Sequence, residues 1–556
     1  MRFTGAFHRL QATGAVRAAG DWVQRRRSLS ADPPPPGDGH GDGPLPDLKV
    51  LVTAEEAFPE LERLVLTAER TVTCGFRIFD PTTRLMSDTA RELGETWADL
   101  VAHVLGRGVR VRLRLSDFDP VAAPELHHKS WQSLRLLRER ADREGCADLL
   151  DAEVCLHPAQ AGRPVRRAFA ATGRKSLKAF ADDLNAQGAA RRDRFMADAP
   201  GLRDLLSRDG DGTLVVPKDM VPPLHPVTHH QKVAVIDRRR LYIGGLDLDD
   251  RRADDKDHDR AGSRTWADVQ LSLTGPIAAE AEDHLLAFTD EVARRTAIAP
   301  SRPGLLRTLS LCASGPNPLQ IGPDEGVSEI LDRTLEGVSH ATEFIYLETQ
   351  FLRDLHVSRD LARRGERQKD LGLIVVLPAA PEELAFQDAR GMDMRFGEHL
   401  QARCLEILRR AFGDRLTVVS PAQTRGVAPD GTRAVLCGAP IIYVHSKVSI
   451  FDDRLAVVSS ANLNGRSHHW DTEAGVALTD PGQIRHLRDR VMRHWLPQGP
   501  DPELLDPATA PRAWRRLAKA NRETQPNRRA GFLLPYPWAA PRRFGRPIPS
   551  LTQNMV

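Results

Sequence analysis

Two stretches of the sequence share one unusual pattern: HHQKVAVIDRRRLYIGGLD spans residues 229–247, and YVHSKVSIFDDRLAVVSSANLNG spans residues 443–465. Each contains His, any residue, Lys, four residues and Asp, followed after a short turn by an apolar run that ends in small residues. With 19 histidines and only 10 lysines in 556 residues, chance is expected to produce this pattern on the order of 0.03 times. The repetition therefore predicts a duplicated structural unit.

The elements that precede each of these cassettes repeat in the same order. A helical stretch and three strands start at Glu55, Thr71, Val109 and Ala152, and their counterparts start at Ser328, Glu343, Leu371 and Arg415. The offset is about 260 residues at the strands and about 215 at the cassettes, so the first copy holds about 50 additional residues. We place this insertion within residues 157–227 and expect it to form a lid or rim.

The alternation of helices and strands predicts an α/β fold, and the repeat predicts two similar α/β/α sandwich lobes that arose by internal duplication. The expected boundaries are a disordered segment and Pro/Gly linker at 1–46, a first lobe at 47–310, a second lobe at 311–500 and a tail at 501–556. The tail either wraps the domain or touches a membrane surface.

Composition excludes several classes of protein. The 78 basic and 75 acidic residues give a net charge of +3, with no charged tail that would indicate a partner. The six cysteines are scattered without a CxxC motif, so neither a zinc site nor a disulfide framework is expected. The longest uncharged apolar runs reach about 11 residues, against the ~20 that cross a bilayer, and no signal peptide is evident. We expect a cytoplasmic or peripheral membrane protein.

Strand periodicity places the side chains within each cassette. Residues two apart share a face, so His230 and Lys232 point into the same space, as do His445 and Lys447.

The cassette aspartates, Asp237 and Asp452, lie an odd number of positions after their histidines and should face the other way. We therefore expect them to anchor the turns. The carboxylates expected to orient the histidines are Asp268 for His230 and Glu473 for His445, each in a strand further along its own copy.

Small and polar residues end the returning strand of each cassette. Gly245 and Asp247 stand in the first copy, and Ser460 and Asn462 in the second. Small residues allow backbone N–H groups to approach a phosphate closely, which predicts an oxyanion cradle at these strand ends.

Two histidines and two lysines, without a cluster of metal ligands, are suited to in-line displacement at a phosphodiester. One imidazole attacks phosphorus, the other protonates the leaving oxygen from the opposite side, and Lys232 and Lys447 neutralise the nonbridging oxygens. Attack and departure on opposite sides require two facing half-sites, which places the active site between the lobes. No cofactor and no metal are expected.

The chain resembles the phospholipase D superfamily over most of residues 47–500. HHQKVAVID with GGLD, YLETQFL from Tyr346, and VHSKVSIFD with SSANLNGRSHHWDTE carry the resemblance. It maps the paired family motifs onto His230, Lys232, Asp237, His445, Lys447 and Asp452, and the small-residue motif onto Ser460 and Asn462. It implies that His230 is the nucleophile, that His445 is the acid, and that a metal-independent phosphohistidine forms.

GGLD and ETQF are most similar to the branch that cleaves phosphatidylcholine, although Thr349 and Ser459 depart from its pattern. We therefore predict a phosphodiesterase that hydrolyses or transphosphatidylates glycerophospholipids such as phosphatidylcholine to phosphatidic acid. The expected partners are a phospholipid membrane surface and a water or alcohol acceptor, with no nucleic acid, and the chain is expected to be a monomer. The alternatives are a cardiolipin synthase-like phosphatidyl transferase, a nuclease of the same superfamily and a non-catalytic scaffold.

Overall fold

The computed structural model describes residues 47–315, 318–428, 430–549 and 551–556. The segment predicted to be disordered, residues 1–46, lies outside the described residues. The strands of the described part are β1 (Leu48–Val52), β2 (Thr71–Phe76), β3 (Arg110–Ser116), β4 (Leu150–Cys155), β5 (Ser207–Arg208), β6 (Leu214–Val215), β7 (Lys232–Ile236), β8 (Arg240–Gly244), β9 (Val269–Thr274), β10 (Leu305–Leu311), β11 (Asp324–Ser328), β12 (Phe344–Thr349), β13 (Gly372–Val376), β14 (Leu416–Pro421), β15 (Val435–Leu436), β16 (Ala439–Pro440), β17 (Lys447–Phe451), β18 (Leu455–Ser459), β19 (Glu473–Leu478) and β20 (Leu533–Pro535).

The helices of the same residues flank these strands. They are α1 (Thr53–Leu66), α2 (Asp88–Arg91), α3 (Trp97–Gly106), α4 (Pro124–Arg143), α5 (Arg163–Ala186), α6 (Ala189–Ala197), α7 (Pro200–Arg203), α8 (Pro276–Val292), α9 (Glu329–His340), α10 (Leu355–Arg367), α11 (Glu382–Phe386), α12 (Met392–Phe412), α13 (Gly465–His469), α14 (Pro481–Trp495), α15 (Ala510–Glu523) and α16 (Ala539–Phe544).

Two large sheets confirm the predicted α/β fold and its duplication. The first has seven strands in the order β1-β9-β8-β7-β2-β3-β4, and the second has nine in the order β11-β10-β19-β18-β17-β12-β13-β14-β20. The seven central strands of the second sheet, β10-β19-β18-β17-β12-β13-β14, correspond one by one to the seven strands of the first. The edge strands β11 and β20 have no counterpart in the first sheet. In both sheets the cassette strand lies at the centre. On one side is its own returning strand, and on the other are three parallel strands, β2–β4 in the first sheet and β12–β14 in the second.

The cassette strands form because, after their leading lysines, they are largely apolar and can be covered on both faces. All five residues of β7, KVAVI, and all five of β17, KVSIF, are buried. One apolar cluster joins the two sheets, so the lobes share a core. It includes Val233, Val235, Val448 and Ile450 from the cassette strands, Leu285 from α8, and Val491 and Trp495 from α14.

The insertion predicted within residues 157–227 is a small packed unit. It contains α5, α6, α7 and the β5–β6 hairpin. Its buried apolar residues form a cluster of their own, which includes Leu177, Leu184, Met196, Leu202 and Leu214. Its role as a lid stays a prediction.

The end of the first lobe and the character of the tail differ from expectation. Strand β10 pairs with β19 and so belongs to the second sheet, and the predicted boundary at residue 310 falls inside it. The change of lobe therefore lies between α8 and β10. After residue 500 the chain is part of the second lobe, because β20 pairs with β14 and Trp514 of α15 is fully buried.

Candidate active site between the lobes

The cassette aspartates lie in the tight turns that follow β7 and β17. Asp237 and Asp452 have φ values of 54° and 50°, in the left-handed region that Asp tolerates better than most residues. Asp237 accepts backbone N–H groups from Glu69, Arg70 and Thr71 at 2.8–2.9 Å.

Asp452 repeats this arrangement in the second lobe, where it accepts the N–H groups of Thr342, Glu343 and Phe344 at 2.8–3.0 Å. Burial alone would raise the pKa of Asp237, but the three N–H groups lower it below its ordinary value. Each aspartate thus fastens its turn to the start of the neighbouring strand, which is the anchoring geometry that strand parity indicates.

The backbone just before each cassette strand crosses to the other lobe. The His230 N–H donates to the Thr472 carbonyl at 2.7 Å, and the His445 N–H donates to the Ala267 carbonyl at 2.8 Å. Thr472 and Ala267 directly precede Glu473 and Asp268 in the sequence. Each histidine is therefore set beside the carboxylate of the opposite lobe.

The side chains form the same crossed pairs. His230 Nδ1 lies 3.0 Å from Glu473 Oε2, and His445 Nδ1 lies 2.6 Å from Asp268 Oδ2. The predicted pairing within each copy is therefore wrong: Asp268 serves His445, and Glu473 serves His230. The physical reason is that β8 separates β7 from β9, and two strand spacings of about 4.8 Å exceed hydrogen-bond reach.

The lysines lie behind their histidines and are almost completely buried. Lys232 Nζ donates to the His230 carbonyl at 2.5 Å and lies 3.8 Å from Asp247 Oδ1. Lys447 Nζ contacts the carbonyl of His445 and lies 3.0 Å from its Nδ1. Two ammonium groups therefore flank the imidazoles from within the core.

Gly245 and Ser460 support the carboxylates, and their N–H groups are not available for the predicted oxyanion cradle, which stays a prediction for Asp247 and Asn462. The N–H groups of Gly245 and Ser460 donate to Val269 and Ala474 of the adjacent strands. A Cβ on Gly245 would lie 2.4 Å from Asp268 Oδ1, so only glycine allows that carboxylate its position. Ser460 instead donates its hydroxyl to Glu473 Oε2.

Asp247 and Asn462 link the returning strands to the loops after β2 and β12. Asp247 Oδ1 accepts the N–H of Ile78 at 3.0 Å, and Asn462 Nδ2 donates to Gln350 Oε1 at 3.2 Å. One oxygen of each side chain, Asp247 Oδ2 and Asn462 Oδ1, is buried and has no hydrogen-bond donor among the described residues. Both residues thus combine a structural contact with an acceptor that is not used.

Burial controls the electrostatics of the site. It lowers the pKa of both imidazoles well below the ordinary value, and Lys232 and Lys447 lower it further for His230 and His445 respectively. Burial also lowers the pKa of Lys447 to about 7. It raises the pKa of Glu473 to about 8 and that of Asp268 to about 6. Between about pH 6 and pH 8, the His230–Glu473 couple therefore holds more protons than the His445–Asp268 couple.

Several charged or aromatic residues at the site were missed by sequence reasoning. Trp266 packs against His445 with 4.6 Å between ring centres, and its ring carries the guanidinium of Arg252 at 3.7 Å. Arg77 and Arg466 contribute to the lowered pKa of His230. Trp266 precedes Asp268 by two positions, and this spacing next to a candidate carboxylate was the available signal.

A family described as "Cardiolipin synthase, PLD-like domain" matches residues 428–495. Phospholipase D alpha 1 of Nicotiana tabacum is 24% identical over 383 residues, which cover 47% of this chain and 46% of that protein. Phospholipase D zeta 2 of Arabidopsis thaliana is 29% identical over 167 residues, which cover 26% of this chain and 16% of that protein.

Among solved structures, phosphatidylserine synthase of Haemophilus influenzae Rd KW20 has a TM-score of 0.46 and 11% identity, covering 86% of this chain and 95% of that one. The chain spans less than half the length of the curated relatives named above.

A duplicated α/β fold with two His–Lys cassettes, each completed by a carboxylate of the other lobe, defines a protein with one composite site. The second cassette matches a phospholipase D-like domain, and the chain is similar to plant enzymes of the phospholipase D superfamily.

Proposed function

We propose that the protein is a phosphodiesterase or phosphatidyl transferase that acts on glycerophospholipids through a phosphohistidine intermediate. The observation that carries the proposal is the pair of crossed couples, His230 with Glu473 and His445 with Asp268. Because each carboxylate holds a Nδ1, each imidazole has Nε2 free for chemistry. In-line substitution needs two such groups on opposite sides of phosphorus.

The proposed reaction has two steps. In the first, His230 Nε2 forms a bond to phosphorus, the bond to the headgroup oxygen breaks, and His445 donates its Nε2 proton to that oxygen. In the second, His445 takes a proton from water or an alcohol, whose oxygen bonds to phosphorus as the P–N bond breaks. The products are phosphatidic acid or a phosphatidyl alcohol, and both imidazoles return to their initial state.

The lysines balance the charge of the phosphoryl group. Lys232 and Lys447 keep two ammonium groups beside the imidazoles in a buried site, where their attraction for the nonbridging oxygens is weakly screened. Bound phosphate also favours the charged form of Lys447, whose pKa is about 7 in the empty site. The proposed chemistry needs no metal ion for this role.

The proton inventory sets a condition on the first step. With pKa values of about 8 for Glu473 and about 6 for Asp268, Glu473 keeps its proton in the empty site at neutral pH and Asp268 does not. The His230 couple therefore holds one proton more than the His445 couple. Attack by His230 needs that proton on the His445 couple instead. We assign the nucleophile from the superfamily resemblance, and the proton then moves between the couples when the anionic phosphate binds.

The test is incubation with a panel of glycerophospholipids, phosphatidylcholine and phosphatidylserine among them, in the presence of ethanol. We expect phosphatidic acid and phosphatidylethanol, no loss of activity with chelators, and no product with His230→Asn or His445→Asn of unchanged melting temperature. Product from either folded variant would overturn the two-histidine reaction. Cleavage of single-stranded DNA without lipid cleavage would instead identify a nuclease.

The second candidate is a phosphatidyl transferase that uses a lipid or polyol acceptor. The description of the family that matches residues 428–495, which names cardiolipin synthase, favours it. Addition of glycerol or phosphatidylglycerol as acceptor distinguishes the two, because a transferase forms the exchanged lipid faster than phosphatidic acid. The membrane surface as partner and the monomeric state stay predictions. Within the described residues, no helix has the length and apolar character that crossing a bilayer requires.

A further inference from the structure

One arginine near His445 has no role in the reaction proposed above. Arg252 ends a short 3-10 turn, Asp250–Arg252, and is 5% exposed. Its guanidinium carbon lies 3.7 Å from the centre of the Trp266 ring, which itself packs 4.6 Å from the ring of His445. The charge of Arg252 also contributes to the lowered pKa of His445. Arg252 thus belongs to the His445 side of the site.

The guanidinium of Arg252 is not satisfied by the protein. Its Nε and Nη1 are buried without a hydrogen-bond acceptor among the described residues. Buried donors of a charged group are almost always paired, so such a group calls for an acceptor from outside the protein. Burial lowers the pKa of Arg252 only to about 10, so the group remains a cation at neutral pH.

The nearby carboxylates do not account for Arg252 as a purely structural ion pair. Asp247 and Asp249 favour its charged form through space. Asp249 Oδ2, however, is bound by Lys129 at 2.7 Å, and Asp247 Oδ1 is bound by the N–H of Ile78 at 3.0 Å. Asp247 Oδ2 accepts no hydrogen bond from the described residues and lies 3.9 Å from Arg77 Nη1. Neither aspartate forms a hydrogen bond to Arg252 in the described part of the chain.

The same arrangement disfavours a choline headgroup. A quaternary ammonium is recognised by open aromatic faces. The ring of Trp266 beside His445 already carries Arg252, and the Arg251 guanidinium lies 5.7 Å from the same ring. Arg251 is paired with Glu382, so a cationic headgroup at this position would meet the guanidinium charge of Arg252, whereas an anionic group would supply the missing acceptor.

We propose that Arg252 binds an anionic group, a carboxylate or a phosphate, on the headgroup that leaves beside His445, so that the preferred substrates are phospholipids with an anionic headgroup. This inference rests on the proposed function, in which His445 protonates the headgroup oxygen. An acceptor enters where the headgroup departs, because the second step reverses the first at phosphorus. The same residue therefore favours an anionic alcohol as acceptor.

The experiment compares kcat/KM for four lipids of identical acyl chains in uncharged detergent micelles. Phosphatidylserine provides a carboxylate and phosphatidylinositol 4-phosphate a phosphate, whereas phosphatidylcholine and phosphatidylglycerol lack both. The wild-type protein should prefer one or both of the first two by about tenfold, and which of them is preferred distinguishes carboxylate from phosphate. Arg252→Gln should remove about tenfold on the preferred lipid and leave phosphatidylcholine within about twofold.

Two further variants keep the result interpretable. Arg252→Lys, which retains the charge, should recover part of the preference, and Arg264→Gln, which removes an exposed arginine of the same loop, should change no lipid by more than about twofold. An equal loss on all four lipids in Arg252→Gln, or a wild-type preference for phosphatidylcholine, would overturn the assignment while leaving the phosphodiesterase proposal intact. If no lipid is cleaved, the proposed function fails and this inference fails with it.

Discussion

At the level of single residues, each lobe supplies the carboxylate that binds the cassette histidine of the other lobe. Strand parity in the sequence is sufficient to separate the cassette aspartates from the histidines, because alternation is a local property. The partner of each histidine is not local, since it depends on which strand of the other sheet faces it. That is why Asp268 and Glu473 could be found as candidates from the sequence but were assigned to the wrong histidines.

The raised pKa of Glu473 makes a prediction about stability. The folded protein raises this pKa from 4.5 to about 8, so the contribution of the bound proton is fully present below about pH 4.5 and is lost as pH rises through about 8. Glu473→Gln cannot ionise and should gain about 2–4 kcal/mol of unfolding free energy relative to wild type between about pH 5 and pH 9.

Urea unfolding at a series of pH values measures this difference. Glu366→Gln, at an exposed glutamate, is the matched control and should show no such trend. A stability difference between Glu473→Gln and wild type that stays constant, or falls, as pH rises would contradict the assigned protonation of the His230 couple.

At the scale of elements, the cassette is a hairpin held at both ends. Its turn is fastened by Asp237 or Asp452 to the neighbouring strand, and its leading end is fastened to the other lobe through Thr472 or Ala267. The strands themselves were predictable, because their alternating or continuous apolar runs are strong local signals. The use of the Gly245 and Ser460 N–H groups within the sheets was not predictable, because whether an N–H is free depends on the adjacent strand. Leu533–Pro535 was likewise missed as a strand, since three residues carry no detectable period.

The anchoring role predicts how Asp237→Asn behaves. Loss of the carboxylate charge weakens its hydrogen bonds to Glu69, Arg70 and Thr71, so the free energy of unfolding should fall by about 1–3 kcal/mol. Because Asp237 does not touch the histidines, kcat/KM of the folded variant should stay within about threefold of wild type. Thermal unfolding and lipid turnover test both, with exposed Asp204→Asn as control. Inactivity at unchanged stability would instead give Asp237 a chemical role.

At the scale of the whole molecule, duplication explains the paired cassettes. Each lobe supplies one histidine and the carboxylate for the other, and a shared apolar core holds the two cassette strands together. Neither cassette histidine is paired with a carboxylate of its own lobe: His230 is held by Glu473 and His445 by Asp268. A reaction with attack and departure on opposite sides of phosphorus is therefore a property of the joined lobes.

The phosphohistidine proposed at His230 can be trapped in the variant His445→Asn. A phosphatidyl ester of p-nitrophenol has a leaving group that needs no proton, so the first step should survive the loss of the acid while the second step stalls without its base. We predict a burst of about one p-nitrophenolate per protein, with the phosphatidyl group on the peptide that contains His230, and no burst in the double variant His230→Asn/His445→Asn. No burst from His445→Asn while wild type turns the ester over, or a phosphatidyl group bound to a residue other than His230, would contradict this proposal.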